Sequence, residues 1–260
     1  LRGTGKASCG LAHFEGGREY YEYLLKSSVG SYMPVARIEK RLLEQLSHDL
    51  KLMRQILMEQ PSLAGRLQDG VSLLETDPDK VLEMLKQCIQ KDFPDPGSVS
   101  YEICFVHPSM EKHLSPAFYL TPPLDTGTPN IIYINQADQR SGPELFSTLA
   151  HEGFPGHLYQ TVYFGSTKPS DIRYLLSCGG YVEGWATYVE SCISSYAGNF
   201  LKDTAPEDMA SLFWLNRSIN LCIYSLLDIG IHHQGWDQFR AGHFLKTFGI
   251  GDTSVIHSIY

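Results

Sequence analysis

Several things are scarce in this chain, and each scarcity removes a class of function. The six cysteines among 260 residues (Cys9, Cys88, Cys104, Cys178, Cys192, Cys222) form no C-x-x-C pair. A chain of this size needs no disulfide scaffold, so they read as scattered reduced core thiols. Basic residues are outnumbered, 21 Lys and Arg against 29 Asp and Glu, for a formal charge of -8. No electrostatic footprint for nucleic acid or an anionic membrane surface results. The longest apolar stretch, Leu221 to Ile231, contains Asp228 and falls far short of the roughly 20 residues a membrane span requires. No glycine-rich phosphate loop, internal repeat or low-complexity tract occurs. What remains is a globular composition, 43% apolar and 12% aromatic, whose expected partner is a small molecule or a peptide.

The chain begins at Leu1, not Met, and Ile250 to Tyr260 run on without a stop signal, so a fragment of a longer protein is expected. The compartment is left open between the cytoplasm and an exported or surface-anchored lipoprotein. Oligomeric state is not encoded in any pattern found.

Helices are expected over 18–32 and 35–60, the second from Val35, Ile38, Leu42, Leu46, Leu50, Met53 and Leu57 at three- and four-residue steps. A third starts after Thr76-Asp77-Pro78-Asp79 and stops near Phe93-Pro94. β-branched and aromatic residues then place strands at 99–106, 117–120 and 131–134, with a proline-rich surface turn at 121–129. One long helix is expected from Ser141-Gly-Pro-Glu144 to 164, and others over 170–177, 181–197, 206–233 and 236–247. This order predicts an α+β, mostly helical fold with a small sheet, with an N-terminal helical part (1–95) and a metal-binding core (96–260) that either stand apart or pack as one domain.

The chemistry is carried by Thr148-Leu-Ala-His151-Glu152-Gly-Phe-Pro155-Gly156-His157. The two histidines are six residues apart. In an unbroken helix a four-residue step returns within about 40° of the same face, whereas six residues land about 120° away, so both imidazoles could not meet one ion. Pro155 lacks a donor for the carbonyl of His151, and Gly156 tolerates unusual backbone angles. Two looped-out residues in a bulged helix would then restore the effective four-residue step. An interior proline costs about 3 kcal/mol, which favours a functional reading over a solvated helix face.

A catalytic zinc takes three protein ligands and keeps one position open. The third is expected to be Glu183 in Tyr181-Val-Glu183-Gly-Trp-Ala-Thr-Tyr-Val-Glu190. Trp185, Val189, Ile193 and Tyr196 make an apolar stripe there, leaving Glu183 and Glu190 on nearly one line, the second to brace a histidine. Glu152, beside the open position, is placed to act as general base on a zinc-activated water. Arg217, Tyr224 and His232, at seven- and eight-residue steps on a later helix, are candidates to stabilise an oxyanion, and buried structural roles suit each of them equally well. No matched set for cysteine catalysis emerges around Cys192.

These motifs resemble the bacterial domain-of-unknown-function family 885, a group placed with the gluzincin-type zinc metallopeptidases. The resemblance rests on His151-Glu-Gly-Phe-Pro-Gly-His157 with Gln160, on Glu183-Gly-Trp-Ala with Glu190, and on Asp228-Ile-Gly-Ile-His232 with Gly235-Trp236. Tyr133-Ile-Asn135 and the Glu19-Tyr-Tyr-Glu-Tyr segment extend it over most of the chain. It implies a zincin-like core, one zinc ion on His151, His157 and Glu183, Glu152 as general base, and a protein about twice this length. Leu158 departs from the second consecutive histidine of many members, which leaves His157 as the ligand.

The function expected is a zinc-dependent hydrolase that cleaves amide bonds in peptides or acylated amino acids, with the edge of the strand near Ala117 to Tyr119 available to an extended peptide. The competing reading is a peptide-binding or solute-capturing protein whose metal site is vestigial or structural. Glu152 argues against it, since a structural site has no use for a carboxylate beside an open position.

Overall fold

A computed structural model describes residues 10–137, 142–176 and 178–252. Ten α-helices and three strands are defined among them, mostly helix with one small sheet. The helices are α1 (Gly17–Leu24), α2 (Val35–Glu59), α3 (Ser62–Asp69), α4 (Pro78–Cys88), α5 (Gly142–Glu152), α6 (His157–Ser166), α7 (Ile172–Leu175), α8 (Gly179–Ile193), α9 (Pro206–Asp228) and α10 (Gln238–Lys246). The strands are β1 (Tyr101–Phe105), β2 (Ala117–Leu120) and β3 (Asn130–Ile134). No described helix is long and apolar enough to cross a membrane. No disulfide joins the five described cysteines, and Cys9 lies outside the described residues.

The chain forms two compact units, one running from Gln55 to Trp214 and the other made of the segments up to Arg54 and from Leu215 on. Residues 95 and 96, the expected boundary, both fall inside the first.

In the unit 55–214 the sheet order is β1-β3-β2, with β3 parallel to β1 and antiparallel to β2. On the central strand Asn130, Ile132 and Ile134 are buried and alternate with Ile131 and Tyr133, the two-residue period of a sheet with one face against a core. Asn135 continues β3 and ties its loop down, donating through Nδ2 to the carbonyls of Glu111 (2.7 Å) and Leu114 (3.1 Å). α4 starts where acidic and proline residues suit a first turn: Asp77 accepts from the Asp79 amide at 3.1 Å, and Pro78 occupies the first helical position. Its inward face, Val81, Leu82 and Leu85, is fully buried, as are Leu149 and Ala150 on α5 and Leu158 on α6.

In the other unit, α10 and the end of α9 enclose a core with Leu46, Ile223, Leu227 and Leu245. A second cluster joins Tyr21, Val35 and Ile229. Asp49 is buried there, accepting from Gln45 (2.8 Å) and Ser218 (2.7 Å).

Three expectations need correction. The helix expected over 142–164 is two helices, separated at 153–156; its expected first residue, Ser141, lies outside the described residues, as does Ser177 at the end of the helix expected over 170–177. α3 is not among the expected helices; it follows directly on α2, with Pro61 as its N-cap. The helices expected at 18–32 and 206–233 end in π-helical turns, Leu25–Val29 and Ile229–His233.

Candidate metal centre

Four segments converge in the unit 55–214. α5 ends with His151 and Glu152, the chain breaks over Gly153-Phe154-Pro155-Gly156, and α6 opens on His157. α8 brings Glu183 and Glu190, and β2 brings the backbone of Tyr119. The expected bulge is therefore a full break, in which the second histidine heads its own helix. Gly153 closes α5 by donating to the carbonyl of Leu149 (2.8 Å), and its own carbonyl accepts from the Tyr159 amide (3.1 Å). Phe154 is fully buried, its ring edge-on to Tyr101 at 5.7 Å, and the Phe154–Pro155 peptide is cis.

Gly156 is required by close approach, not by a left-handed backbone. Its φ is -79°, and a Cβ there would overlap the carbonyl oxygens of His151 and Ala150. Gly156→Ala is expected to destabilise the protein by about 1–3 kcal/mol, the usual cost of overpacking, and to weaken metal uptake because the nearest obstructing atom belongs to His151 itself. Urea denaturation and metal analysis check this; parental stability and uptake would mean the break has room that the geometry denies.

The imidazoles of His151 and His157 meet edge to face with centroids 4.7 Å apart. His151 Nδ1 lies 2.7 Å from Glu190 Oε1, which leaves Nε2 facing the site. Glu183 Oε2 stands 3.6 Å from Nε2 of His151 and 3.7 Å from Nε2 of His157. For ligands about 2.0–2.2 Å from a tetrahedral ion, neighbouring donor atoms should be about 3.4 Å apart, so the Glu183 carboxylate is compatible with an ion shared with either histidine. Glu152 is also close: its carboxylate and the two imidazoles bring three donor atoms within 4.8 Å of one another. Its Oε1 is 4.0 Å from His151 Nε2, and its Oε2 accepts from the Tyr119 amide at 2.8 Å. With one oxygen held by the backbone and the other farther from His151 Nε2 than Glu183 is, Glu152 is less well placed than Glu183 to be a ligand.

Electrostatics separate the roles further. Burial raises the Glu152 carboxyl above its usual range, against the opposing effects of His151 and the Tyr119 amide. Burial lowers His157, helped by the charge of His151, so its ring favours the neutral form that ligation needs. Burial also works against charge on His151, but its hydrogen bond to Glu190 and the surrounding carboxylates outweigh it and raise its pKa. Glu183 and Glu190 share one line of α8 as expected, yet the Glu183 side chain is 67% exposed and that of Glu190 only 4%. Ala186, Val189, Glu190 and Ile193 form the buried face. Glu190 is thus a core carboxylate whose observed partner is the first histidine, the arrangement that fixes a ligand's tautomer and orientation.

Two groups at the centre were not foreseen. The Tyr119 amide carries no residue-type signal and reaches Glu152 only through the pairing of β2; the Tyr119 hydroxyl donates to the buried Asn130 (2.7 Å), which donates to the Ser100 carbonyl (3.0 Å). Trp185, expected only as part of an apolar stripe, donates from its indole to the Pro155 carbonyl at 2.8 Å.

Arg217, Tyr224 and His232 lie in the other compact unit. Tyr224 is exposed, and His232 sits in the π-helical turn. Its Nδ1 accepts from the Leu11 amide (3.2 Å), and its Nε2 lies 3.9 Å from Asp228, which also binds the Tyr21 hydroxyl at 2.6 Å.

A mostly helical α+β protein with a two-histidine, glutamate-rich cluster is thus the class that fold and site define. The chain belongs to the family described as "Bacterial protein of unknown function (DUF885)", whose model matches residues 3–258. No curated protein matches it. Among solved structures it is similar to "the putative lipoprotein from Colwellia psychrerythraea", with a TM-score of 0.77 and 18% sequence identity. The match covers 96% of this chain and 46% of the other, so this chain spans less than half the length of that protein.

Proposed function

We propose that this chain carries the catalytic core of a zinc-dependent hydrolase, a zincin-like metallopeptidase acting on amide bonds of peptides or acylated amino acids. The observation that carries the reading is the position of the Glu183 carboxylate, 3.6 and 3.7 Å from the facing nitrogens of His151 and His157, with Glu152 alongside. When bound, zinc supplies Lewis acidity and brings the pKa of water down to about 7. His151, His157 and Glu183 hold it, and Glu190 keeps the His151 ring oriented. Glu152 takes the proton of the attacking water and returns it to the leaving nitrogen. Its raised pKa suits both halves of that task, since a base poised nearer neutrality also serves as an acid. The Tyr119 amide holds one of its oxygens and leaves the other to work.

The substrate class is supported by the same strand. Asn135 donates to the Pro116 carbonyl, and in an antiparallel ladder this makes Phe118 and Leu120 the residues bonded to β3. The main-chain groups of Ala117 and Tyr119 then point away from β3, and Tyr119 shows it by reaching Glu152. Such an edge suits an extended peptide laid beside the base. The description of the similar solved structure as a lipoprotein favours an exported or surface-anchored protein over a cytoplasmic one.

Elemental analysis of the full-length natural protein, purified without chelators, tests the metal part of this reading. About one zinc per chain is expected. A folded protein with no zinc, before or after reconstitution, would reduce the cluster to a packed set of polar residues.

A further inference from the structure

The four residues between α5 and α6 are the irregular part of the candidate centre, and whatever holds them sets His157 against His151. Pro155, in the middle, is buried. Its carbonyl belongs to no helix, and a buried carbonyl without a partner is costly, so the group that satisfies it has a strong hold on the break. That group is the indole N–H of Trp185, at 2.8 Å. Trp185 stands two residues after Glu183 on α8. The same helix that carries the third donor therefore grips the segment that places the second.

The indole is itself held in plane. It stacks on Tyr159 (6.3 Å, 10°) and meets Phe93 edge-on (6.0 Å, 87°). Tyr159 lies two residues after His157, packs edge-on to Phe93 (6.1 Å, 78°), and donates from its hydroxyl to the Pro94 carbonyl at 2.6 Å. Tyr163 and Tyr188 extend the row of rings at its two ends, where both are exposed. The interior rings anchor the break, whereas Tyr188 makes no contact with it that bears on the histidines.

We propose that Trp185 is a positioning residue for the metal centre: by donating its indole N–H to Pro155, it locks the break between the helices and fixes His157 and Glu183 relative to each other. The proposal rests on the zinc reading of the site. It separates what the indole does as a donor from what it does as an apolar ring, and Trp185→Phe makes that separation, because the benzyl ring keeps the stack and loses the N–H.

The test uses full-length protein with Trp185→Phe and, as a control, Tyr188→Phe. Zinc affinity is measured by competition with a chromogenic chelator, and the visible spectrum is recorded after cobalt replaces zinc. Trp185→Phe is expected to weaken zinc binding by about 10- to 100-fold, the range for groups that support metal ligands, and to change the cobalt spectrum. Tyr188→Phe should match the parent in both. Unchanged affinity and spectrum in a Trp185→Phe protein, with only the melting temperature lowered, would overturn the proposal and leave Trp185 as packing.

A second readout needs no metal. The amides of Tyr159 and Gln160 bond to the carbonyls of Gly153 and Gly156 across the start of α6. In metal-free Trp185→Phe their hydrogen exchange should accelerate about tenfold or more while amides of α4 keep parental rates, as expected for local opening. Parental exchange at both amides would overturn the proposal. If the parent itself takes up no zinc, the zinc reading falls and this exchange comparison alone decides the role of Trp185.

Discussion

Glu152→Gln in the full-length, zinc-loaded protein is expected to lose about 10²- to 10⁴-fold in turnover while keeping its metal and its fold, since general acid–base assistance is commonly worth that much. The substitution preserves size, and the amide oxygen of Gln can still accept from Tyr119 as Oε2 of Glu152 does at 2.8 Å. What disappears is an oxygen able to take a proton. The side chain is 13% exposed and its carboxyl is raised by burial, so replacing it with a neutral isostere should not cost stability. A variant that turned over peptide as fast as the parent would remove Glu152 from the mechanism. Loss of zinc along with activity would make it a ligand instead, in keeping with its nearness to both imidazoles.

The second large effect belongs to the ligands. His151→Ala and His157→Ala each leave two protein donors, too few for a stable zinc site, and both variants should be without stoichiometric zinc after dialysis. Glu183→Gln should come close to the same loss. Glu190→Gln should weaken binding by a smaller factor, about 10- to 100-fold, because the amide can still accept from His151 Nδ1 but no longer offsets the charge near the ion. The order follows from position: Glu183 Oε2 faces both nitrogens of the site, while Glu190 meets His151 on the far side of its ring. Retained zinc in either histidine variant would take that residue out of the coordination set, and a larger loss in Glu190→Gln than in Glu183→Gln would exchange the two glutamates.

Much of this was legible because local chemistry and spacing carried it. The periodicity of Val35 to Leu57 marks α2, the Asp77-Pro78 pair marks the start of α4, and the three strands fall where β-branched residues cluster. The histidines, Glu152, Glu183 and Glu190 were readable since each is of a type that ligates or braces a metal, Glu183 and Glu190 at a spacing that shares a face and the histidines on either side of a proline and a glycine. Pro155 and Gly156 signalled an interruption between the histidines, but not that it would be a complete break. That outcome depends on a contact from elsewhere, the Trp185 indole on Pro155, and on the close approach of Gly156 to the His151 and Ala150 carbonyls, which leaves no space for a Cβ. The hold of Tyr119 on Glu152 was invisible for a different reason, since a backbone amide has no residue identity and its direction follows from strand register. Arg217, Tyr224 and His232 were singled out by spacing on one helix; Arg217 and Tyr224 lie on α9, and His232 lies in the π-helical turn that begins at Ile229.

Zinc-dependent cleavage is the most direct measurement of the central claim. The full-length protein would be incubated with a peptide library as purified, after removal of metal by chelation, and again after one equivalent of zinc is returned, with products identified by mass spectrometry. The account predicts cleavage that chelation abolishes and one equivalent of zinc restores. Cleavage indifferent to chelation would contradict it, and so would a zinc-loaded protein that binds library peptides and cuts none, which would make the chain a peptide-binding module.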